Sequence, residues 1–277
     1  MKTPSSLRTA AVARRLGVAR VLSKAGLCSR TRAAEWVRAG RVGVNGRIVR
    51  DPEHPVVEGR DRVTVDGRPV EAAERVYLLL NKPRGLVTTV ADERGRDTVY
   101  RCFDGAGLPW IAPVGRLDKA SEGLLLFSND PEWAARIADP DTGPDKTYHV
   151  QVDTIPDDAL LAALCAGIDD GGEHLAAKSA RSLRVGAKNA WLEIVLDEGR
   201  NRQIRRLLAA FDIGVLRLVR VGIGSLVLGD LGKGQWRLLH PEEVASLAAG
   251  KAGGGGVRRA PRRLPVTGSR PVRDQPG

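Results

Sequence analysis

The amino-acid sequence predicts an α+β protein: a small N-terminal module, built from a helix pair and short strands, followed by a larger domain of mixed helices and strands. Apolar residues between Val18 and Val37 recur at helical spacing, and short strand–turn–strand patterns follow them. Further along, alternating apolar residues at 192–196 indicate a strand that leads directly into a helical pattern. With 277 residues, 42% of them hydrophobic, the chain can form the cores of both domains.

Charge is distributed unevenly along the chain. Residues 1–75 contain 16 basic and 8 acidic side chains, residues 76–249 contain 21 and 24, and residues 250–277 contain 7 and 1. The net charge of +11 therefore comes from the two ends. Basic flanks around a slightly acidic middle indicate a polyanionic partner attracted through its phosphates, although basic ends can also serve only to keep a chain soluble.

Hydropathy and cysteine usage limit where the protein works. No apolar run approaches the roughly 18 residues that span a bilayer, which argues against a membrane protein. Cys28, Cys102 and Cys165 are far apart and odd in number, so they predict neither a disulfide framework nor a metal-binding pair. We therefore expect a cytoplasmic protein with no membrane partner.

Both ends of the chain have the composition of flexible segments. Residues 1–17 contain several arginines and no acidic residue, so we expect a flexible basic arm, with an organellar transit segment as the alternative. From Gly250 the sequence becomes rich in Gly and then in Pro and Arg. Residues 250–277 are therefore expected to be disordered.

The N-terminal module is predicted over residues 18–72. Its first helix ends where Gly26 breaks the apolar pattern, and Ser29 is the expected N-cap of the second helix. Asn45-Gly46 and Asp66-Gly67 each follow a short run of strand-forming residues, which predicts two hairpins.

The segment from Val21 to Gly46 resembles an S4 domain, the small RNA-binding module of a ribosomal protein, tyrosyl-tRNA synthetases and several RNA-modifying enzymes. Its Arg-Val-x-Val-Asn-Gly stretch lies at the expected distance from the helix pair. The resemblance implies that five side chains face RNA: Lys24, Ser29, Arg30, Arg32 and Arg41. The alternative is an ordinary solvated helix face.

The larger domain is predicted over residues 76–249. Three segments with strand character come before residue 191. The apolar strand from Tyr77 runs into Asn-Lys-Pro-Arg-Gly at 81–85, where Pro and Gly force a turn. Pro-Val-Gly-Arg-Leu-Asp at 113–118 precedes a second apolar strand, and Lys-Thr-Tyr-His-Val at 146–150 alternates polar and apolar residues.

The pattern from Trp191 to Phe211 predicts a strand, a turn at Glu198-Gly199 and an amphipathic helix. Its apolar side is formed by Ile204, Leu207, Leu208 and Phe211. A helical wheel places three cations on the opposite side: Arg202, Arg205 and Arg206. On its own, this pattern is typical of any surface helix.

Four segments, in this order after the S4-like module, resemble the pseudouridine synthases that carry an S4 domain and modify ribosomal RNA: 115–118, 123–130, 146–148 and 198–206. The resemblance spans residues 18 to about 240. It implies a mixed α/β catalytic domain on a largely antiparallel sheet, with RNA bound across a cleft. The chain has Ser121 where the family commonly has Thr, and Pro131 where Gly is usual.

The resemblance also assigns the chemistry. Isomerisation of uridine breaks the bond between base N1 and ribose C1′, turns the uracil and rejoins it through C5, so a carboxylate must act on the sugar or the base. By resemblance Asp118 is that carboxylate, and Tyr148 stacks on the flipped uracil and assists proton transfer at C5. Arg205 is the expected partner that keeps Asp118 ionised, and Arg202 is expected to bind RNA. Arg116 is expected to bind RNA by holding a phosphate or filling the gap left by the flipped nucleotide, with a structural salt bridge as the alternative.

The implied partner is ribosomal RNA or a precursor ribosomal subunit, modified at one uridine by a monomeric enzyme. The form of segment 198–206, together with the basic tail, resembles members that act on large-subunit RNA more than those that act on the small subunit. No cofactor and no metal are expected, since the sequence has neither a GxxxxGKS/T or GxGxxG loop nor an HExxH motif.

Two other functions fit parts of the sequence. A non-catalytic ribosomal-RNA-binding assembly factor could use the same basic surfaces, but such a clamp gains nothing from a carboxylate aimed at polyanionic RNA. A hydrolase could use Asp118 and Glu122 as a carboxylate pair. Gly123 and the strand-like Leu-Leu-Leu-Phe that follows it disfavour the helix that would bring the two together.

Overall fold

The computed structural model of the protein describes residues 15–89 and 95–250. The chain divides into two compact units, with the boundary after Arg75. The flexible arm or transit segment expected before residue 15, and the disordered tail expected after residue 250, lie outside the described residues.

The first unit combines two helices with short strands. Its elements are β1 (Arg15–Gly17), α1 (Val18–Lys24), α2 (Arg30–Arg38), β2 (Val42–Val44), β3 (Arg47–Val49), β4 (Pro55–Val57), β5 (Val63–Val65) and β6 (Arg68–Pro69). One antiparallel sheet has the order β3-β2-β5-β6, and β1 pairs with β4. Residues 15–17, expected as part of the arm, are instead a strand, because Leu16 and Val56 are buried partners across the β1–β4 pair.

Local sequence explains how these elements begin and turn. The hydroxyl oxygen of Ser29 accepts a hydrogen bond from the backbone N–H of Arg32 at 3.1 Å, which begins α2 as predicted. Asn45 (φ 51°) and Gly46 (φ 80°) form the left-handed turn between β2 and β3. Both helices share one core with the sheet, whose buried members include Leu22, Ala33, Val37 and Val42.

The second unit is a mixed α/β domain. Its strands are β7 (Tyr77–Lys82), β8 (Ala112–Val114), β9 (Glu122–Ser128), β10 (Lys146–Val152), β11 (Ile168–Asp170), β12 (Glu173–Leu175), β13 (Ser179–Val185), β14 (Ala190–Leu196), β15 (Val215–Ile223), β16 (Leu226–Val227) and β17 (Trp236–Leu238). Its helices are a 3₁₀ helix (Val99–Phe103), α3 (Pro131–Ala138), α4 (Asp158–Ala166), α5 (Gln203–Ala209) and α6 (Pro241–Ala248). The strands and the helix predicted for this domain are therefore present.

Nine strands form the central sheet in the order β13-β14-β10-β15-β9-β7-β17, with β8 beside β9 and β16 beside β15. β15 and β9 run parallel, and the other neighbouring pairs described in this sheet are antiparallel. The largely antiparallel sheet implied by the family resemblance is confirmed.

Helices cover both faces of this sheet. One face, which we call the site face, is covered by α4, α5 and the 3₁₀ helix, and its side chains include Leu78, Leu80, Phe127, Tyr148 and Ile194. The opposite face packs against α3 and α6 through Leu79, Leu124, Leu126, Trp133 and Leu247. Tyr148 contacts both hydrophobic clusters of the site face, so it lies where they join. Within residues 15–89 and 95–250, no helix is both long and apolar enough to cross a membrane.

Candidate active site

Four residues form a row across the site face: Lys82, Gly123, Arg220 and Tyr148. Lys82 of β7 is opposite Gly123 of β9, Gly123 is opposite Arg220 of β15, and Arg220 is opposite Tyr148 of β10. Residues directly opposite each other in a sheet point to the same face. The row therefore brings two cations and an aromatic ring together, with a position that has no side chain between the cations.

The loop of residues 115–121, between β8 and β9, holds Asp118 over this row. The ammonium of Lys82 donates hydrogen bonds to the carbonyl oxygens of Asp118 at 3.2 Å and Ser121 at 2.8 Å. The hydroxyl of Thr88 donates to the carbonyl oxygen of Leu117 at 2.7 Å. The backbone around Asp118 is thus tied to the end of β7 and to the segment that follows it, and the carboxylate of Asp118 is half-buried.

Lys82 is fully buried, and its three hydrogen bonds all go to backbone carbonyls, including that of Pro83 at 3.1 Å. No carboxylate in the described residues lies within 4.0 Å of it. Burial lowers the pKa of Lys82 from 10.5 to about 8, against the opposing effect of negative groups that include Asp118. Lys82 is therefore a buried cation at neutral pH.

Segment 198–206 folds into a hydrogen-bond network that fixes the start of α5. Gln203, which is only 2% exposed, donates to the Glu198 carboxylate at 2.6 Å and to the carbonyl oxygen of Ala176 at 3.1 Å. The side-chain oxygen of Gln203 accepts from the backbone N–H of Arg200 at 3.2 Å. The apolar side of α5 then packs into the same cluster as the residues around Tyr148.

Arg205 of α5 is a charge neighbour of Asp118. Burial lowers the pKa of the Arg205 guanidinium, the positive charge of Arg202 adds to that effect, and the negative charge of Asp118 opposes it. Asp118 and Arg205, both in the described part of the chain, attract each other without forming an ion pair within 4.0 Å. The structure thus brings Asp118, Tyr148 and Arg205 to one face, and their catalytic roles stay predictions.

Arg206 is the next residue along α5, but its guanidinium points to a different partner. It forms ion pairs of 2.6 Å with Asp170 and with Glu173 of the β11–β12 hairpin. It also donates to the carbonyl oxygen of Asp170 at 2.9 Å. The three arginines that the helical wheel grouped together are therefore divided, and Arg206 is a tether for the hairpin.

The two other predicted RNA-binding residues of this unit are exposed. Arg116 lies in the loop of residues 115–121, two positions before Asp118. Arg202 is the N-cap of α5 and has a φ of 50°, which residues other than glycine rarely adopt. Both guanidiniums are accessible to a phosphate, and RNA binding by them stays a prediction.

The predicted RNA-facing residues of the first unit lie around the ends of its two helices, and four of them form ion pairs. The pairs are Lys24–Glu58 at 3.2 Å, Arg30–Glu53 at 3.2 Å, Arg32–Glu35 at 2.7 Å and Arg41–Asp66 at 2.9 Å. The fifth, Ser29, is the N-cap of α2. Exposed ion pairs stabilise a fold little, so phosphates can replace these carboxylates, and the role of the five residues stays a prediction.

Glu122 does not share a site with Asp118. It begins β9 on the face opposite Tyr148, and its carboxylate, 3% exposed, accepts hydrogen bonds from Arg217 at 2.8 and 3.0 Å and contacts Lys233 at 3.0 Å. Burial raises the pKa of Glu122, but the hydrogen bonds from these two cations outweigh that effect and leave it lowered. The carboxylate-pair hydrolase therefore has no structural basis.

Three residues that build this site were not singled out from the sequence: Lys82, Gln203 and Arg220. A signal was present for the two cations, since each interrupts an apolar pattern at a position that faces the core of its strand. Gln203 carried no such signal, because a polar residue near the start of a helix is common and the sequence does not show that it is buried. Among residues 15–89 and 95–250, no three His, Cys, Asp or Glu side chains gather into a group that could hold a metal ion.

Comparison with known proteins covers both units. Residues 76–210 match the family of RNA pseudouridylate synthases, and residues 17–61 match the S4 domain. The ribosomal large subunit pseudouridine synthase B of Bacillus subtilis (strain 168) is 38% identical over 233 residues, which are 83% of this chain and 94% of that protein. An uncharacterized RNA pseudouridine synthase of Aquifex aeolicus (strain VF5) is 38% identical over 228 residues, 82% of this chain and 91% of that protein.

A solved structure is similar over the same length. The crystal structure of a pseudouridylate synthase matches with a TM-score of 0.58 and 30% sequence identity, and covers 84% of this chain and 99% of that chain. The similarity therefore includes both units and nearly the full length of these relatives.

Proposed function

The chain belongs to the RNA pseudouridine synthase family, and we propose that it converts one uridine of large-subunit ribosomal RNA to pseudouridine. A single observation supports the reaction best: a clamped loop presents Asp118 on the same sheet face as Tyr148 and Arg205. The choice of large-subunit RNA follows the name of the similar B. subtilis protein.

The reaction is an isomerisation, so the nucleotide gains and loses no atoms. Asp118 acts as an ionised carboxylate on the ribose or the base of a uridine flipped out of its strand, and the N1–C1′ bond breaks. The uracil turns within the site against the ring of Tyr148, and C5 bonds to C1′. The proton on C5 then leaves, with Tyr148 assisting, and N1 regains a proton.

Positive charge around Asp118 suits this chemistry. Arg205 and Lys82 both interact electrostatically with Asp118, and neither neutralises it through a direct ion pair. An arginine stays protonated throughout, so it stabilises the ionised carboxylate without competing for its proton. The same charge stabilises the uracil while it is detached and carries negative charge.

The substrate is held by residues outside this centre. Arg116 and Arg202 bind phosphates near the flipped nucleotide, and the five predicted residues of the S4 domain bind a neighbouring part of the RNA. The enzyme works as a monomer on free ribosomal RNA or a precursor subunit, in the cytoplasm. The three free cysteines, Cys28, Cys102 and Cys165, support a reducing compartment.

Asp118→Asn tests the proposal, with the exposed Asp230→Asn as the matched control. Each protein is incubated with unmodified ribosomal RNA, pseudouridines are mapped as carbodiimide adducts by primer extension, and RNA affinity is measured by filter binding. We expect Asp118→Asn to bind like the wild type and give no new adduct, and Asp230→Asn to give the wild-type adduct. Turnover by Asp118→Asn would remove this residue from the mechanism.

A second outcome would overturn the function itself. If the wild type binds ribosomal RNA with an affinity that falls as the salt concentration rises, but no uridine becomes reactive to carbodiimide, the protein is an RNA clamp that assists assembly.

A further inference from the structure

Arg220 is a buried cation for which the site described above gives no use. It lies in β15 and is only 5% exposed. Its Nε donates a hydrogen bond to the carbonyl oxygen of Leu124 at 2.7 Å, and its Nη2 is buried without a hydrogen-bond partner in the described residues. No carboxylate in residues 15–89 and 95–250 lies within 4.0 Å of its guanidinium.

The register of the sheet places Arg220 inside the active site. Its strand partners are Tyr148 on one side and Gly123 on the other. Beyond Gly123 lies Lys82, whose ammonium holds the backbone of Asp118. Arg220 therefore lies in the same row as Tyr148 and Lys82.

Gly123 makes this arrangement possible. A Cβ added to it would lie 2.2 Å from the backbone oxygen of Arg220, and its φ of +100° is one that other residues avoid. Lys82 and Arg220 therefore lie on either side of a residue without a side chain, on the same sheet face. Both are buried cations without an ion pair to a carboxylate in the described residues.

An unpaired buried charge destabilises a fold by several kcal/mol, and most such charges are neutralised by a carboxylate. Lys82 interacts electrostatically with Asp118, and Arg220 is the strand partner of Tyr148, against which the detached, negatively charged uracil turns in the proposed reaction. That charge requires stabilisation in the transition state, where a fixed cation in a dry environment acts most strongly.

We propose, resting on the function proposed above, that Arg220 is a positioning residue that stabilises negative charge in the active site. It acts from its position beside Tyr148, and it also fixes the start of β9 through the carbonyl of Leu124. It does not bind RNA phosphates, because its guanidinium is closed off from solvent.

The charged groups of Lys82 in β7 and Arg205 in α5 interact electrostatically with Asp118. Arg202 and Arg84 act on Arg205 in turn, and Arg116 and Lys119 lie in the loop that carries Asp118. Glu122 lies on the opposite face, where Arg217 and Lys233 neutralise it.

The test compares Arg220→Met, which keeps the length but removes the charge, with Arg220→Lys, which keeps the charge. We expect Arg220→Met to lower kcat by roughly 10- to 100-fold while KM changes by less than about threefold. Arg220→Lys should recover most of kcat.

Two results would overturn the inference. If the melting temperature of Arg220→Met falls while kcat and KM of the folded protein stay at wild-type values, Arg220 is only a tie between β9 and β15. If Arg220→Lys is as impaired as Arg220→Met, charge is not the property that matters. Wild-type turnover, measured in the same series, tests the proposed function separately.

Discussion

Replacing Lys82 with methionine gives the most quantitative test of how the site face is built. At neutral pH the folded protein keeps this lysine charged although burial lowers its pKa from 10.5 to about 8, which destabilises the fold by about 3 kcal/mol. Methionine removes that penalty but leaves the buried carbonyl of Ser121 without its donor, a loss of about 1–3 kcal/mol. The two effects nearly cancel at pH 7.

Raising the pH separates the two proteins. Between pH 8 and 10.5 the unfolded wild-type chain keeps the proton on Lys82, whereas the folded chain has released it, so wild-type stability rises with pH. From these two pKa values the gain between pH 7 and pH 9.5 is about 2 kcal/mol, and Lys82→Met cannot show it.

The assay is urea unfolding at pH 7, 8.5 and 9.5, followed by tryptophan fluorescence in a Trp36→Phe background so that only the second unit contributes to the signal. Lys188→Met, a change at an exposed lysine, is the control and should keep the wild-type gain. Parallel stability curves for wild type and Lys82→Met over this range would refute the claim that Lys82 is a destabilised buried cation.

Two further predictions concern the elements around the row. Gly123→Ala should lower the free energy of unfolding by at least about 3 kcal/mol, since its Cβ would meet the Arg220 backbone oxygen. The control, Gly199→Ala, adds a Cβ with no atom within 4 Å and should change the free energy of unfolding by no more than about 0.5 kcal/mol. Equal urea midpoints for the two variants would contradict this. Arg206→Met should raise amide hydrogen exchange in residues 168–175 and leave α5 protected, whereas unchanged exchange in the hairpin would show that Arg206 is not its tether.

Sequence patterns predicted the elements of this fold wherever the information is local. The N-cap at Ser29, the Asn45-Gly46 turn and the apolar stripe of α5 depend on residues within a few positions of each other, and all three are present. The resemblance to a known family assigned Asp118, Tyr148 and Arg205 to one site, which stays a prediction. The structure makes Arg205 a charge neighbour of Asp118 and packs α5 into the cluster that Tyr148 contacts.

What the sequence did not predict depends on long-range register. Arg205 and Arg206 are adjacent, and both lie on the polar side of a helical wheel. Arg205 nevertheless interacts with Asp118, whereas Arg206 binds a hairpin more than 30 positions away. Lys82 and Arg220 are separated by almost half the chain and become neighbours only through β9, which pairs with both of their strands. Such contacts follow from strand order, which local periodicity does not encode.

Two groups of cations in this protein differ in their exposure to solvent and in their pairing with carboxylates. Those of the S4 domain, such as Arg30 and Arg32, are exposed and paired with carboxylates, and such pairs exchange readily for phosphates in water. Lys82 and Arg220 are buried without a carboxylate, and no solvent ion can reach them to screen their charge. Under the proposed function we expect the exposed cations to set affinity for RNA and its dependence on salt, and the buried pair to act on the negative charge that develops in the active site once the nucleotide is bound.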